Sequence, residues 1–260
     1  MSVKCSNFDI NKLTVNPANI SGGNMLISFA QYNDPQLPHK IPIFMTNEIT
    51  IVNKTGLTST LHANPNTRAI KLPLSDQNLS KMLKSIDQKI PTHKNELFGN
   101  KANKYTYSPL IKKQIVNNNG LPEEIGYEYC TMKFSIDWDT KKINTGFFLN
   151  NGVTACKLQI NSYNDLRTHI APGCRVKIIF SINKIWATKT PHQNTFGLGL
   201  KVLQMEIFPK PKPQKVDYQN TYLFGNMSSV STIYKTVPYP HNYEDLDELD
   251  EPEYSDNDYE

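Results

Sequence analysis

At 260 residues and 38% hydrophobic content, the chain can fill the core of one large domain with insertions or of two small domains. Its net charge of +4 averages two unlike parts: residues 242–260 hold ten of the 24 acids and no Lys or Arg, leaving 28 basic residues against 14 acids in the remainder. No run of about 18 apolar residues exists to make a membrane-spanning helix, and the wide spacing of Cys5, Cys130, Cys156 and Cys174 rules out a zinc knuckle or a Cys-x-x-Cys redox pair.

Charge divided in this way fits a polyanion-binding body with a tethered acidic interaction segment; a solvated surface with a solubilising tail is the plainer reading. No basic-then-apolar signal opens the chain, so the expectation is a soluble intracellular protein, not secreted, with reduced thiols.

Residues 1–21 are polar, end at a Ser-Gly-Gly break and are expected to form a flexible leader. In "NMLISFAQYN" Met25, Ile27 and Phe29 share one face of a strand, and Ser28, Ala30 and Tyr32 the other. The ribbon that begins "KIPIFM" puts Ile41, Ile43 and Met45 on one side and Lys40 and Phe44 on the opposite, non-core side. "TRAIKLPL" predicts a short strand. After it Ser75 reads as the N-cap of a helix whose Leu79, Met82, Leu83, Ile86 and Ile90 fall on one stripe, with Pro91 marking its end.

A second β block starts at "NKYTYSPLIKK". In "YEYCTMKFSIDWD" the alternation sends Cys130, Met132, Phe134, Ile136 and Trp138 to the core and Tyr127, Tyr129, Thr131, Lys133 and Ser135 outward. "RVKIIFSINKIW" likewise turns Val176, Ile178, Phe180 and Ile182 inward and Arg175 and Lys177 outward. Unbroken alternation would then bury Lys184, at a cost of several kcal/mol for an unpaired ammonium. A bulge near Asn183 that re-aims Lys184 and Trp186 is therefore predicted. "TFGLGLKVLQMEIF" is a further strand, with Gly197 and Gly199 at a bend or close approach. Pro209 ends the body, residues 22–215 form the domain, 216–241 a linker and 242–260 a disordered acidic tail. Many modest strands, one clear helix and proline-bounded turns predict a mainly β fold, a closed or nearly closed barrel with helical and loop insertions.

Chemistry-bearing patterns are lacking. None of the six histidines sits at ligand spacing, and neither a nucleophile elbow nor a phosphate loop occurs, so no metal or cofactor and no enzymatic activity are expected. Asp137 and Asp139 would be the acids of a nuclease, but "DWDTKKINTG" reads better as a hairpin turn. What remains is lysine interleaved with aromatics, the pairing that single-strand binding needs for phosphates and for stacked bases. Three stretches supply it: Lys104, Tyr105, Tyr107, Lys112 and Lys113; Tyr127, Tyr129 and Lys133; and Arg175, Lys177, Lys184, Trp186 and Lys189.

In their order, the ribbon at Lys40, "LSKMLKSIDQKI", "YTYSPLIKK", "MKFSIDWD", "RVKIIFSINKIW" and "FGLGLKVLQMEIF" resemble the OB-fold single-stranded DNA-binding proteins of large cytoplasmic DNA viruses and related viral elements, over residues 24–208. The resemblance implies an OB-type barrel that coats single strands during viral DNA replication, repair and recombination in host cytoplasm or nucleus. It implies single-stranded DNA, or RNA, as partner, replication proteins reached through the acidic tail, and homo-oligomers on DNA. Lys40 and Phe44 would then line the groove, and the tail would compete with DNA for it. The tail ends in "NDYE" rather than the hydrophobic tip of bacterial counterparts. A viral assembly protein whose basic body docks on anionic partners is the competing expectation.

Overall fold

The computed structural model describes residues 2–17, 19–21, 25–35, 37, 40–52, 69–118, 121–137, 139–140, 142–189 and 194–210. In chain order its strands are β1 (Val3–Lys4), β2 (Leu13–Val15), β3 (Asn19–Ser21), β4 (Met25–Ser28), β5 (Ala30–Tyr32), β6 (Ile43–Met45), β7 (Ile49–Thr50), β8 (Ala69–Pro73) and β9 (Tyr105–Ser108). There follow β10 (Lys112–Asn118), β11 (Leu121–Phe134), β12 (Gly146–Asn150), β13 (Ala155–Leu158), β14 (Arg175–Lys189) and β15 (Asn194–Phe208). Among the described residues three α-helices accompany them, α1 (Gln77–Lys89), α2 (Lys94–Phe98) and α3 (Tyr163–His169).

The antiparallel pair β14 and β15 is the spine of the sheet. Val176, Ile178, Phe180 and Ile182 are buried, as their alternation predicts, and the register then shifts between Ile182 and Ile185. Beyond the shift Ile185 and Ala187 carry the buried phase. The bulge at Asn183 is thus present, for the reason the sequence supplies: continued alternation would sink Lys184. A second shift, opposite Leu203, lets Phe196, Leu198, Leu200 and Val202 and then Met205 and Ile207 all face the core.

Further strands share the two outer edges of this spine. β4, β6 and β7 pair with β14; β9, β11 and β12 pair with β15, all three in parallel. β11 carries β8 and β10 on its antiparallel pairings, β1 joins β6, and β2 and β5 form a separate two-stranded sheet. The fold is mainly β, but among the described residues the hydrogen-bonded path runs open from β1 to β10, so the expected closed barrel is not seen. The physical reason is branching: β9, β11 and β12 divide the edge of β15 between them, and among the described residues none leads back to β14.

Helix α1 packs Leu79, Met82, Leu83 and Ile86 into the core, with Ile90 just beyond it, as its spacing predicts. Its N-cap is Asp76 rather than Ser75: the carboxylate accepts the Asn78 amide at 3.0 Å and the Asn47 amide at 2.9 Å. At its other end Lys89 Nζ donates to the carbonyls of Ile10 and Leu13 at 2.7 and 2.9 Å.

That last contact bears on the N-terminal stretch, which is not the expected structureless leader. Val3, Cys5 and Leu13 are buried, and Phe8 joins Tyr32, Phe44 and Phe180 in one aromatic cluster with centroid separations of 5.1–6.0 Å. The same cluster corrects β6: Phe44 points inward and is fully buried, while Ile41 is exposed and Ile43 and Met45 half-exposed. In the first strand region Ser28, Ala30 and Tyr32 are the buried set and Phe29 is exposed. Cys130, Met132 and Phe134 lie inward as expected; Trp138 lies outside the described residues, as do the linker and tail.

Burial holds the thiols of Cys5 and Cys130 up at about 12 and raises that of Cys174, whereas Cys156 is exposed on β13. Native protein is therefore expected to react rapidly with a thiol reagent at Cys156 alone, and at the other three cysteines only after unfolding. Replacing Phe44 with Ala empties the centre of the aromatic cluster and should cost about 3–5 kcal/mol, read from urea denaturation.

Candidate nucleic-acid interface

Pairing in register fixes which residues share the outer face of the sheet. Trp186 of β14 stands directly opposite Gly197 of β15. A methyl group on Gly197 would lie 2.8 Å from Trp186 Cζ2 and 3.0 Å from the Ser108 carbonyl oxygen, so the indole rests against the bare backbone of β15. In the bulge beside it, Lys184 lies against Gly199, whose own added methyl would meet the Lys184 carbonyl at 3.5 Å. The two glycines of "GLGLK" therefore leave room for these neighbours, the indole above all.

Two residues further along β15, Lys201 pairs with Lys133 of β11. From Lys133 the same face continues back along β11 through Thr131 to Tyr129, and across to β8, where Lys71 pairs with Thr131. The Lys71 ammonium stands 5.3 Å from the centre of the Tyr129 ring, and Lys112 of β10 pairs with Tyr129 on its other side. Lys112 and Lys133 are exposed; Lys71, Lys184, Lys201, Tyr129 and Trp186 are half-exposed. The four segments that build this part of the face, 69–73, 129–134, 181–189 and 194–202, contain five lysines and no Asp or Glu.

Other residues expected at the site go elsewhere. Tyr105 is buried and stacks on Phe98 at 4.1 Å. Tyr107 packs on Phe196 and donates its hydroxyl to Asp87 Oδ1 at 2.7 Å; burial first and the Asp87 carboxylate second push its phenol well up. Asp87 also accepts the Leu110 and Ile111 amides at 2.8 and 3.1 Å, so Tyr107 fastens β9 to α1 while Tyr105 packs on Phe98 of α2, and neither offers a stacking surface. Phe44 belongs to the core and is likewise withdrawn. Lys40 is exposed with φ +52°, a turn position whose carbonyl accepts the Tyr32 amide. Lys104 is exposed ahead of β9, and the side chain of Lys189 lies outside the described residues.

Tyr127 and Lys113 line a separate cavity of about 470 Å³ with Thr50, Val52, Leu74 and Glu128. Arg175 is engaged by the Glu48 carboxylate and the Phe208 ring at the far end of the spine. Lys177 pairs with Glu206 across the ladder. Asp137 accepts the amides of Asp139 and Thr140 at 3.0 and 2.8 Å, which is the turn-forming role expected of it.

Lys71 and Lys201 were not expected at the site. Lys71 is marked only by the alternation of "AIKLP", and Lys201 by the outward phase it shares with the two glycines.

No family model matches the chain. An uncharacterised protein of Acanthamoeba polyphaga mimivirus is 28% identical over 123 residues, 44% of this chain. The match spans half the length of that relative. Among solved structures, the single-stranded DNA-binding protein of bacteriophage Enc34 and its C-terminally truncated form are similar at TM-scores of 0.34 and 0.35, with 13% and 14% identity. Those alignments cover 80% and 78% of this chain and 98% of each phage chain.

The fit of Trp186 against Gly197 is directly testable. With Trp138→Phe leaving one indole, Gly197→Ala should lift that indole off the strand, shift its fluorescence emission to the red and cost about 1–3 kcal/mol of stability.

Proposed function

We propose that this protein binds single-stranded nucleic acid, DNA in the first place, on the outer face of β8, β11, β15 and β14, with little dependence on sequence. The observation that supports this reading is the combination on one surface of Trp186 and Tyr129 with Lys71, Lys112, Lys133, Lys184 and Lys201. Ammonium groups neutralise phosphates, and the two rings offer faces to unstacked bases. Duplex keeps its bases paired and stacked, so rings set among cations favour single strands.

In this reading the protein coats single strands during viral genome replication. The mimivirus relative fits a viral setting. The ten acids of residues 242–260 compete with phosphate for the lysines when no strand is bound, or recruit replication proteins.

Fluorescence anisotropy with a labelled thymidine oligonucleotide tests the reading. Trp186→Ala and Tyr129→Ala should each weaken binding by the roughly 1–3 kcal/mol of one stacked base. Lys71→Ala and Lys201→Ala should each lower the salt dependence of log K by about 0.7. A chain ending at Val237 should bind more tightly than the full chain at low salt. Equal affinity for duplex, or loss of binding with lysine substitutions but not with aromatic ones, would overturn the reading in favour of an assembly protein that docks on anionic surfaces.

A further inference from the structure

Along the spine from Trp186, past the second register shift, the outer face changes character. Pairing sets Met45 of β6, Ile179 of β14, Gln204 of β15 and Gly146 of β12 in one row across the sheet. The next row holds Lys177, Glu206 and Phe148. These residues other than Gly146, with Ala155 of β13, line a pocket of about 250 Å³. Gly146 shapes it: a methyl group there would sit 3.4 Å from Gln204 Cγ and 3.5 Å from Phe148 Cε2, so the missing side chain lets the Phe148 ring lie back beside Gln204. The pocket thus has one aromatic wall, apolar sides at Met45 and Ile179, and three polar groups at Lys177, Gln204 and Glu206.

Glu206 is the feature that needs a reason. A carboxylate set in the path of a phosphate chain repels it, unless hydrogen-bond donors come to meet it. Asn150 Nδ2 donates to Glu206 Oε1 at 2.8 Å and holds the carboxylate in place, while the group's remaining lone pairs stay able to accept. Single strands present flat rings whose edges carry donors, and proteins read splayed bases by ring stacking and edge hydrogen bonds together. A carboxylate favours two adjacent donors. Guanine offers them at N1–H and the 2-amino group; the donors of thymine, cytosine and adenine each lie beside an acceptor that a carboxylate repels.

We infer that this pocket takes one unstacked guanine of the bound strand, its ring against Phe148 and Ile179 and its Watson–Crick edge toward Glu206. Gln204 donates to the guanine O6, and Lys177 meets the adjoining phosphate. The inference rests on the single-strand reading above and adds to it one position of base preference. Gln204 lies seven positions beyond Gly197 on β15, which is roughly 20 Å along a strand. That distance is compatible with a footprint of about 4–16 nucleotides.

The test compares thymidine oligonucleotides of about 12 nucleotides that carry one central dG, dA, dC or deoxyinosine, bound to the full chain. The dG strand should bind about tenfold tighter than all-thymidine, dA and dC strands, and deoxyinosine, which lacks the 2-amino group, should lose most of that gain. Glu206→Gln keeps the acceptor for Asn150. It should bind all-thymidine strands at least as well as the unaltered protein and show no guanine preference. Equal affinity of the unaltered protein for all the strands would overturn the guanine pocket and leave the single-strand reading standing. A guanine preference that survives Glu206→Gln would overturn the role given to Glu206, and failure of every oligonucleotide to bind would overturn both readings.

Discussion

Everything on the outer face depends on how β14 and β15 stay paired while each carries one extra residue. A bulge shifts the inward phase of a strand by one position, so it decides which later side chains meet water. On β14 the shift after Ile182 keeps Ile185 and Ala187 in the core and turns Lys184 and Trp186 out. On β15 the shift at Leu203 turns Lys201 out on one side of it and Gln204 and Glu206 out on the other. The two bulges divide one continuous surface into a lysine-rich part with an indole and a pocketed part with a carboxylate.

How much of this was legible in the sequence depended on whether a side chain had only one tolerable environment. A lysine that alternation would bury does not belong in the core, so the bulge at Asn183 could be reasoned from Lys184 alone. Val176, Ile178, Phe180 and Ile182, set against Arg175 and Lys177, were equally unambiguous. β6 was not, because Ile43 and Met45 on one face compete with Phe44 on the other, and its orientation is decided by Phe8 and Tyr32, which arrive from elsewhere in the chain.

Tyrosine is the hardest residue to place from sequence, since its ring suits a core and its hydroxyl suits water. Tyr105 and Tyr129 both stand in strands next to lysines, yet one stacks inside on Phe98 and the other lies outside beneath Lys71. The difference comes from their neighbours, Phe98 of α2 on one side and Lys71 of β8 on the other. For Tyr107 the deciding neighbour is Asp87, whose carboxylate takes the hydroxyl and two backbone amides at once. The N-terminal stretch was misjudged for a related reason: its polar composition hides Val3, Cys5, Phe8 and Leu13, few in number but all packed against the core.

The placement of β15 at the end of the described chain has a consequence for biosynthesis. Four strands, β9, β11, β12 and β14, hydrogen-bond to it, and three of them reach it across long stretches of intervening sequence. Contacts of such large separation make folding slow, since chain closure must precede the contacts that reward it. A ribosome releases β9, β11 and β12 before the strand that joins their edges exists. The apolar faces of those strands wait exposed until Asn194–Phe208 emerges, so the growing chain passes much of its synthesis in a state that chaperones would recognise.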